Sequence, residues 1–152
     1  MPLHLDHVNL VVRDLPAQTA FYVDQLGFRP LLQRELSGPW VASLVGCPGA
    51  VMHCVILEPP GGGPRLELLA YQHPAAVALP DHGLPAALGL RHLALAVDDL
   101  DAAVARLTAA GVPFLSDPVT VPFRVAGRRK RLVYFRDPEG VLVELAEYAE
   151  VV

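Results

Sequence analysis

Two glutamates stand inside otherwise apolar runs, Glu67 in "PRLELLAY" and Glu144 in "VLVELAEY", and two histidines, His7 in "LDHVNLVV" and His92 in "LRHLALAV", stand in matching runs upstream of them. A carboxylate without a partner in a largely buried strand is costly, so two of them call for compensation. Two neutral imidazoles and two carboxylates around one divalent cation sum to zero charge. That N2O2 donor set suits Zn, Ni, Co, Mn or Fe and leaves positions for water or substrate. Taken singly, such a His or Glu is more often solvent-facing or satisfied by a hydrogen bond. The metal reading rests on the four occurring together at corresponding places in a repeated frame.

The elements that would position them are legible from punctuation. "LDHVNLVV" reads as a strand and "RDLPAQTAFYVDQLG" as a helix, with Asp14 as N-cap, Pro16 in the first turn and Gly27 as stop. The β-rich runs "FRPLLQREL", "AVMHCVILE" and "PRLELLAY" follow, separated by the turn signals "SGPW", "GCPG" and "PPGGG", so the first half reads βαβββ. After the connector "QHPAAVALPDHGLPAALG", the pattern returns in "LRHLALAVDDLDAAVARLTAAGVPF", "LSDPVTV", "RLVYFRD" and "VLVELAEY". Leu5, His7, Leu10 and Asp14-Leu15 fall on Leu90, His92, Leu95 and Asp99-Leu100, and Glu67-Leu68 and Tyr71 fall on Glu144-Leu145 and Tyr148. Side chains two apart in a strand share a face, which puts His7, Asn9 and Val11 opposite Val8, Leu10 and Val12, and His92, Ala94 and Ala96 opposite Leu93, Leu95 and Val97. Each half thus offers one His and one Glu on the face away from its helix.

Composition narrows the partners. The 152 residues are one domain's worth of chain: module one over about 3–74, a connector over about 75–88 and module two over about 89–150. With 53% hydrophobic and 18% charged residues the chain is globular, and a net charge of -4 gives no general attraction to nucleic acid or anionic membrane, so a small-molecule partner is expected. No apolar run has the length of a membrane span and "MPLHLDHVNL" lacks the features of a leader, so a cytoplasmic location is expected. Cys47 and Cys54 lack zinc-site spacing and read as core-filling thiols.

The order of "LDHVNLVVRDLPAQTAFYVDQLGF", "LRHLALAVDDLDAAVARLTAAGV" and "YFRDPEGVLVELAEY" resembles the vicinal oxygen chelate superfamily over essentially the whole chain. That superfamily includes glyoxalase I, methylmalonyl-CoA epimerase, extradiol dioxygenases, and fosfomycin and bleomycin resistance proteins. The resemblance implies an α+β fold of two tandem βαβββ modules curling into a cup-shaped mixed sheet around a metal, commonly in a homodimer. Its ligands would be His7, Glu67, His92 and Glu144. A set of two His and two Glu looks like bacterial-type glyoxalase I and is close to the epimerase. The implied chemistry is therefore that of a lyase or isomerase: proton transfer beside a carbonyl through a metal-stabilised enediolate, with Glu144 as first choice of base and Glu67 returning the proton.

Several features qualify the match. The Arg that helps bind glutathione in bacterial glyoxalase I would fall on Val11, so glutathione is not expected. The run "GRRKRL" could face a thioester's phosphates or a carboxylate, but a solvated hairpin end is the preferred reading of Arg128 to Arg131. Extradiol ring cleavage is an alternative: "YFRDPEGVLVE" fits the tail of its signature, but the upstream His is missing and Glu67 would fill a position that chemistry leaves open. Drug sequestration is another, with Trp40, Phe123, Tyr71 and Tyr148 as candidate lining. His4, His53, His73 and His82 have no counterpart in the repeat and read as surface or packing residues, and Gly61, Gly62 and Gly63 as a hairpin connection.

Overall fold

The structure, a computed structural model, describes residues 2–80 and 83–150, so His82 lies outside the described residues. Two compact units divide between Ala78 and Leu79. In the first, strand β1 (His7–Val11) leads into helix α1 (Leu15–Ala20), which runs on through a π-helical turn at Phe21–Gln25. Asp14 caps α1 by accepting from the Ala17 N–H at 2.9 Å, and Gly27 ends the element at φ +73, a conformation glycine adopts without strain. Strands β2 (Arg29–Leu36), β3 (Val51–Glu58) and β4 (Arg65–His73) follow as antiparallel neighbours, and β4 closes beside β1 in parallel, giving the order β1-β4-β3-β2.

One element departs from the reading of the sequence. Between "SGPW" and "GCPG" the chain forms helix α2 (Pro39–Val45), not a plain turn. Pro39 opens it where the missing N–H is no loss, and Gly46 ends it in the left-handed conformation at φ +66. Its Val41 packs with Met52, Cys54 and Leu69, so α2 covers part of the very sheet face that carries Glu67.

The second unit repeats the plan as β5 (His92–Ala96), α3 (Leu100–Ala109), β6 (Val119–Thr120), β7 (Arg129–Arg136) and β8 (Leu142–Ala149), in the order β5-β8-β7-β6. Asp99 caps α3 from the place Asp14 holds on α1, accepting from Ala102 N–H at 2.9 Å. Leu100 and Leu107, seven residues apart on one helical face, are fully buried.

The register shows the duplication in three dimensions. Leu68 stands between Val55 and Leu10, and Leu145 between Val133 and Leu95. Leu68 is fully buried and Leu145 nearly so, each contributing about 1.5–3 kcal/mol relative to an exposed side chain. Apolar burial on the face covered by α1 in one unit and α3 in the other thus holds each sheet and leaves polar groups of β1, β4, β5 and β8 to the opposite face. No helix among the described residues is long and apolar enough to cross a membrane.

Candidate metal centre

Strand pairing sets the first pair of candidates side by side. Asn9 is the register partner of Glu67, so His7, two residues before Asn9, shares their face. His7 Nε2 lies 3.7 Å from Glu67 Oε2. The other ring nitrogen, Nδ1, is 2.8 Å from Asp6 Oδ2, and Asp6 is also paired with Arg65. These contacts, His7 first and then Arg65, hold the Asp6 carboxyl below the usual carboxylate range. An ionised carboxylate only accepts, so His7 Nδ1 is the donor, and a ring protonated at Nδ1 alone presents its lone pair at Nε2. A carboxylate on Nδ1 is also what commonly orients a histidine that ligates metal through Nε2.

Glu67 is held from two sides. Asn9 Nδ2 donates to its Oε2 at 3.0 Å, and the Cys54 thiol donates to Oε1 at 3.7 Å. Burial first, and the Glu67 carboxylate second, push the Cys54 thiol up to about 11. Both partners of Glu67 are therefore uncharged, and its negative charge has no cation on it other than what His7 could supply.

Module two has the same skeleton and different neighbours. His92 Nε2 lies 3.4 Å from Glu144 Oε2, and the Tyr134 ring packs edge-on against His92 at 5.3 Å between centroids. Glu144 is buried, its side chain 4% exposed against 21% for Glu67. Lys130 Nζ stands 2.5 Å from Glu144 Oε1. The contact is an ion pair whose angles fall outside good hydrogen-bond geometry, since Oε1 has no well-directed donor. The pairing raises the Lys130 ammonium above its ordinary value, and burial followed by the Glu144 carboxylate raises the Tyr134 hydroxyl.

The basic run is thereby corrected. Of Arg128 to Arg131 only Arg129 is exposed. Lys130 neutralises Glu144, Arg131 makes two bonds to Asp101 at 2.7 and 2.9 Å, and Arg128 pairs with Glu150 while lying over the Tyr148 ring. Asn9 and Asp6 escaped the reading of the sequence as site residues, Lys130 entered it only within the basic run, and Tyr134 only within the extradiol alternative's "YFRDPEGVLVE". Asp6 and Asn9 flank His7 in "LDHVNL" and were available to it, whereas Lys130 needed the β7–β8 register. Tyr71 and Tyr148 share the glutamate faces, while Trp40 and Phe123 are exposed.

Two ligand atoms bound about 2.0–2.2 Å from one tetrahedral cation stand roughly 3.3–3.6 Å apart. Of the two imidazole–carboxylate separations, 3.4 Å in module two falls within that spacing and 3.7 Å in module one lies just beyond it, so each pair is close to the spacing of two donors of one cation. Among the described residues no three His, Cys, Asp or Glu side chains converge into a metal-holding group, and the donors occur as one pair per module.

Comparison with known proteins gives the family. Residues 4–145 match the family model of the Glyoxalase/Bleomycin resistance protein/Dioxygenase superfamily, and the chain belongs to that superfamily. It is 33% identical over 147 residues to the uncharacterised protein YaeR of Escherichia coli (strain K12), covering 93% of each chain. A glyoxalase family protein from Bacillus cereus superposes with a TM-score of 0.83 at 27% identity, over 97% of this chain and 95% of that one. The fosfomycin resistance protein FosX of Listeria monocytogenes, solved with Mn(II) and sulfate, shares the fold at a TM-score of 0.62 and 19% identity, over 97% and 93% of the two chains.

Proposed function

We propose that the chain is a divalent-metal-dependent enzyme of glyoxalase I or epimerase type, moving a proton beside the carbonyl of a small-molecule substrate. His7, Glu67, His92 and Glu144 would hold the metal. The observation that carries this reading is the facing of an imidazole Nε2 and a carboxylate Oε2, without a good hydrogen bond between them, in both modules. Between His7 and Glu67 a neutral ring would set lone pair against lone pair, an arrangement a cation relieves. The same fold holds Mn(II) in FosX.

A bound divalent cation would polarise the substrate's oxygens and offset negative charge developing beside the carbonyl. The chain's own residues divide the remaining work unequally. Glu144 is buried and tied to Lys130, which makes it a fixed carboxylate with little freedom to swing toward a substrate. Glu67 is more accessible and carries only neutral partners, so the proton-moving role first given to Glu144 passes to Glu67. Asn9 holds Glu67 Oε2 toward His7, and Tyr134 walls the His92 ring.

The test is solvent exchange. Protein loaded with cobalt(II) is incubated in D2O with α-keto hemithioacetals and α-substituted acyl thioesters, and deuterium at the carbon beside the carbonyl is followed by NMR. Exchange by the wild type, slowed about 10²–10⁴-fold in Glu67→Gln, is the expected result. Equal exchange in Glu67→Gln would remove Glu67 from the role. Oxygen uptake with catechols and no exchange would replace the reading by ring cleavage.

A further inference from the structure

Lys130 occupies a position that the duplication leaves apolar. In β7 it is the register partner of Tyr148, and in β3 the residue paired with the corresponding Tyr71 is Met52. A lysine thus stands in module two where module one has a methionine. Its side chain is only 15% exposed, and it reaches back along the sheet to Glu144 Oε1 while passing 5.5 Å from the Tyr148 ring centroid. The result is a difference in charge between two pairs of similar geometry. Module one combines His7 and Glu67 with neutral neighbours on the carboxylate, and module two combines His92 and Glu144 with a resident cation.

We propose that Lys130 is an internal counter-cation that balances the Glu144 carboxylate and holds it aligned on His92 without metal, so that a divalent cation at the His92–Glu144 pair binds against the lysine's charge. This rests on the metal reading above. It makes Lys130 a positioning residue with two opposed effects. Without metal, the ammonium offsets part of the cost of burying the Glu144 carboxylate. With metal, the same ammonium repels the incoming cation through a partly desolvated site, where charge–charge interaction is stronger than in water. Lys130 binds Oε1 and leaves Oε2 toward His92, so it lowers the affinity of the site without blocking it.

The opposed signs separate this role from simple packing, which would lower stability and affinity together. Lys130→Met, the residue module one already uses, is compared with the wild type by thermal unfolding without metal and by calorimetric titration with cobalt(II). The expected result is a lower unfolding temperature without metal and cobalt binding at least about tenfold tighter, since a repelling unit charge is gone. A Lys130→Met/Glu144→Gln double variant, which carries neither charge, is expected to regain most of the lost unfolding temperature without metal. It also keeps the proposal testable if the single variant folds poorly. Cobalt binding by the wild type that is unchanged or weakened in Lys130→Met, or a double variant no more stable than the single one, would overturn the role of Lys130 alone. No cobalt binding by the wild type or by Lys130→Met would overturn the metal reading and this proposal with it.

Discussion

Asn9 donates its side-chain amide to Glu67 twice, to Oε2 at 3.0 Å and to the backbone carbonyl at 3.3 Å, whereas Ala94, its counterpart in module two, has no amide to offer Glu144. The two carboxylates of the repeat are therefore restrained by different chemistry, one by a neutral amide and the other by an ammonium. A bond from a neutral donor leaves the charge in place, while an ammonium cancels it.

Asn9→Ala follows directly. Loss of a bond to a charged acceptor on a partly exposed face is expected to destabilise the protein by about 1 kcal/mol, less than such bonds contribute when buried. Urea denaturation reads this as a lower midpoint at an unchanged slope. An unchanged midpoint would mean that the amide does not restrain Glu67.

The two thiols are expected to differ. Cys54 is buried and its thiol is pushed up to about 11, so at pH 8 only roughly one thousandth of it is thiolate, while Cys47 is half-buried. A disulfide reagent at pH 8 should therefore titrate one thiol of the native protein quickly and the second only after unfolding. Two equivalents released at one rate would contradict the packing of Cys54 between α2 and Glu67.

Stability should fall at alkaline pH for a stated reason. Lys130 is raised above 10.5 chiefly by its pairing with Glu144, and Tyr134 above 10.0 chiefly by burial. A group whose folded value is raised contributes stability that is complete below its unfolded value and is lost as pH climbs through the folded one. Unfolding temperature should thus begin to decline near pH 9, where the Cys54 thiol of the unfolded chain ionises, and fall more steeply above about pH 10, with a shallower fall in that upper range in Lys130→Met. A wild-type profile flat to pH 11 would count against the pairing.

Much of the scaffold was legible because a repeat states its pattern twice. Asp14 and Asp99 cap helices at the same point of each module, and strand alternation placed His7 with Glu67 and His92 with Glu144 on the polar face. Helix α2 was hidden because Pro39 and Gly46, which open and close a short helix, are also turn residues, and seven residues are too few to show a periodicity. Lys130 was hidden for another reason. In "GRRKRL" nothing local distinguishes one cation from the next, and only the pairing of β7 with β8 decides that Lys130 turns toward Glu144 while Arg131 turns toward Asp101. The need to neutralise a buried carboxylate was read correctly, but Lys130 meets that need for Glu144, so the metal reading now rests on the His–Glu facing instead of on charge.

Metal content tests the central claim most directly. Protein purified without chelating resin is analysed for Zn, Ni, Co, Mn and Fe beside His7→Ala and Glu144→Gln variants, which remove one donor from each pair. The account predicts about one divalent ion per wild-type chain and a loss of about tenfold or more in affinity in each variant. The same metal content and affinity in all three proteins would contradict it.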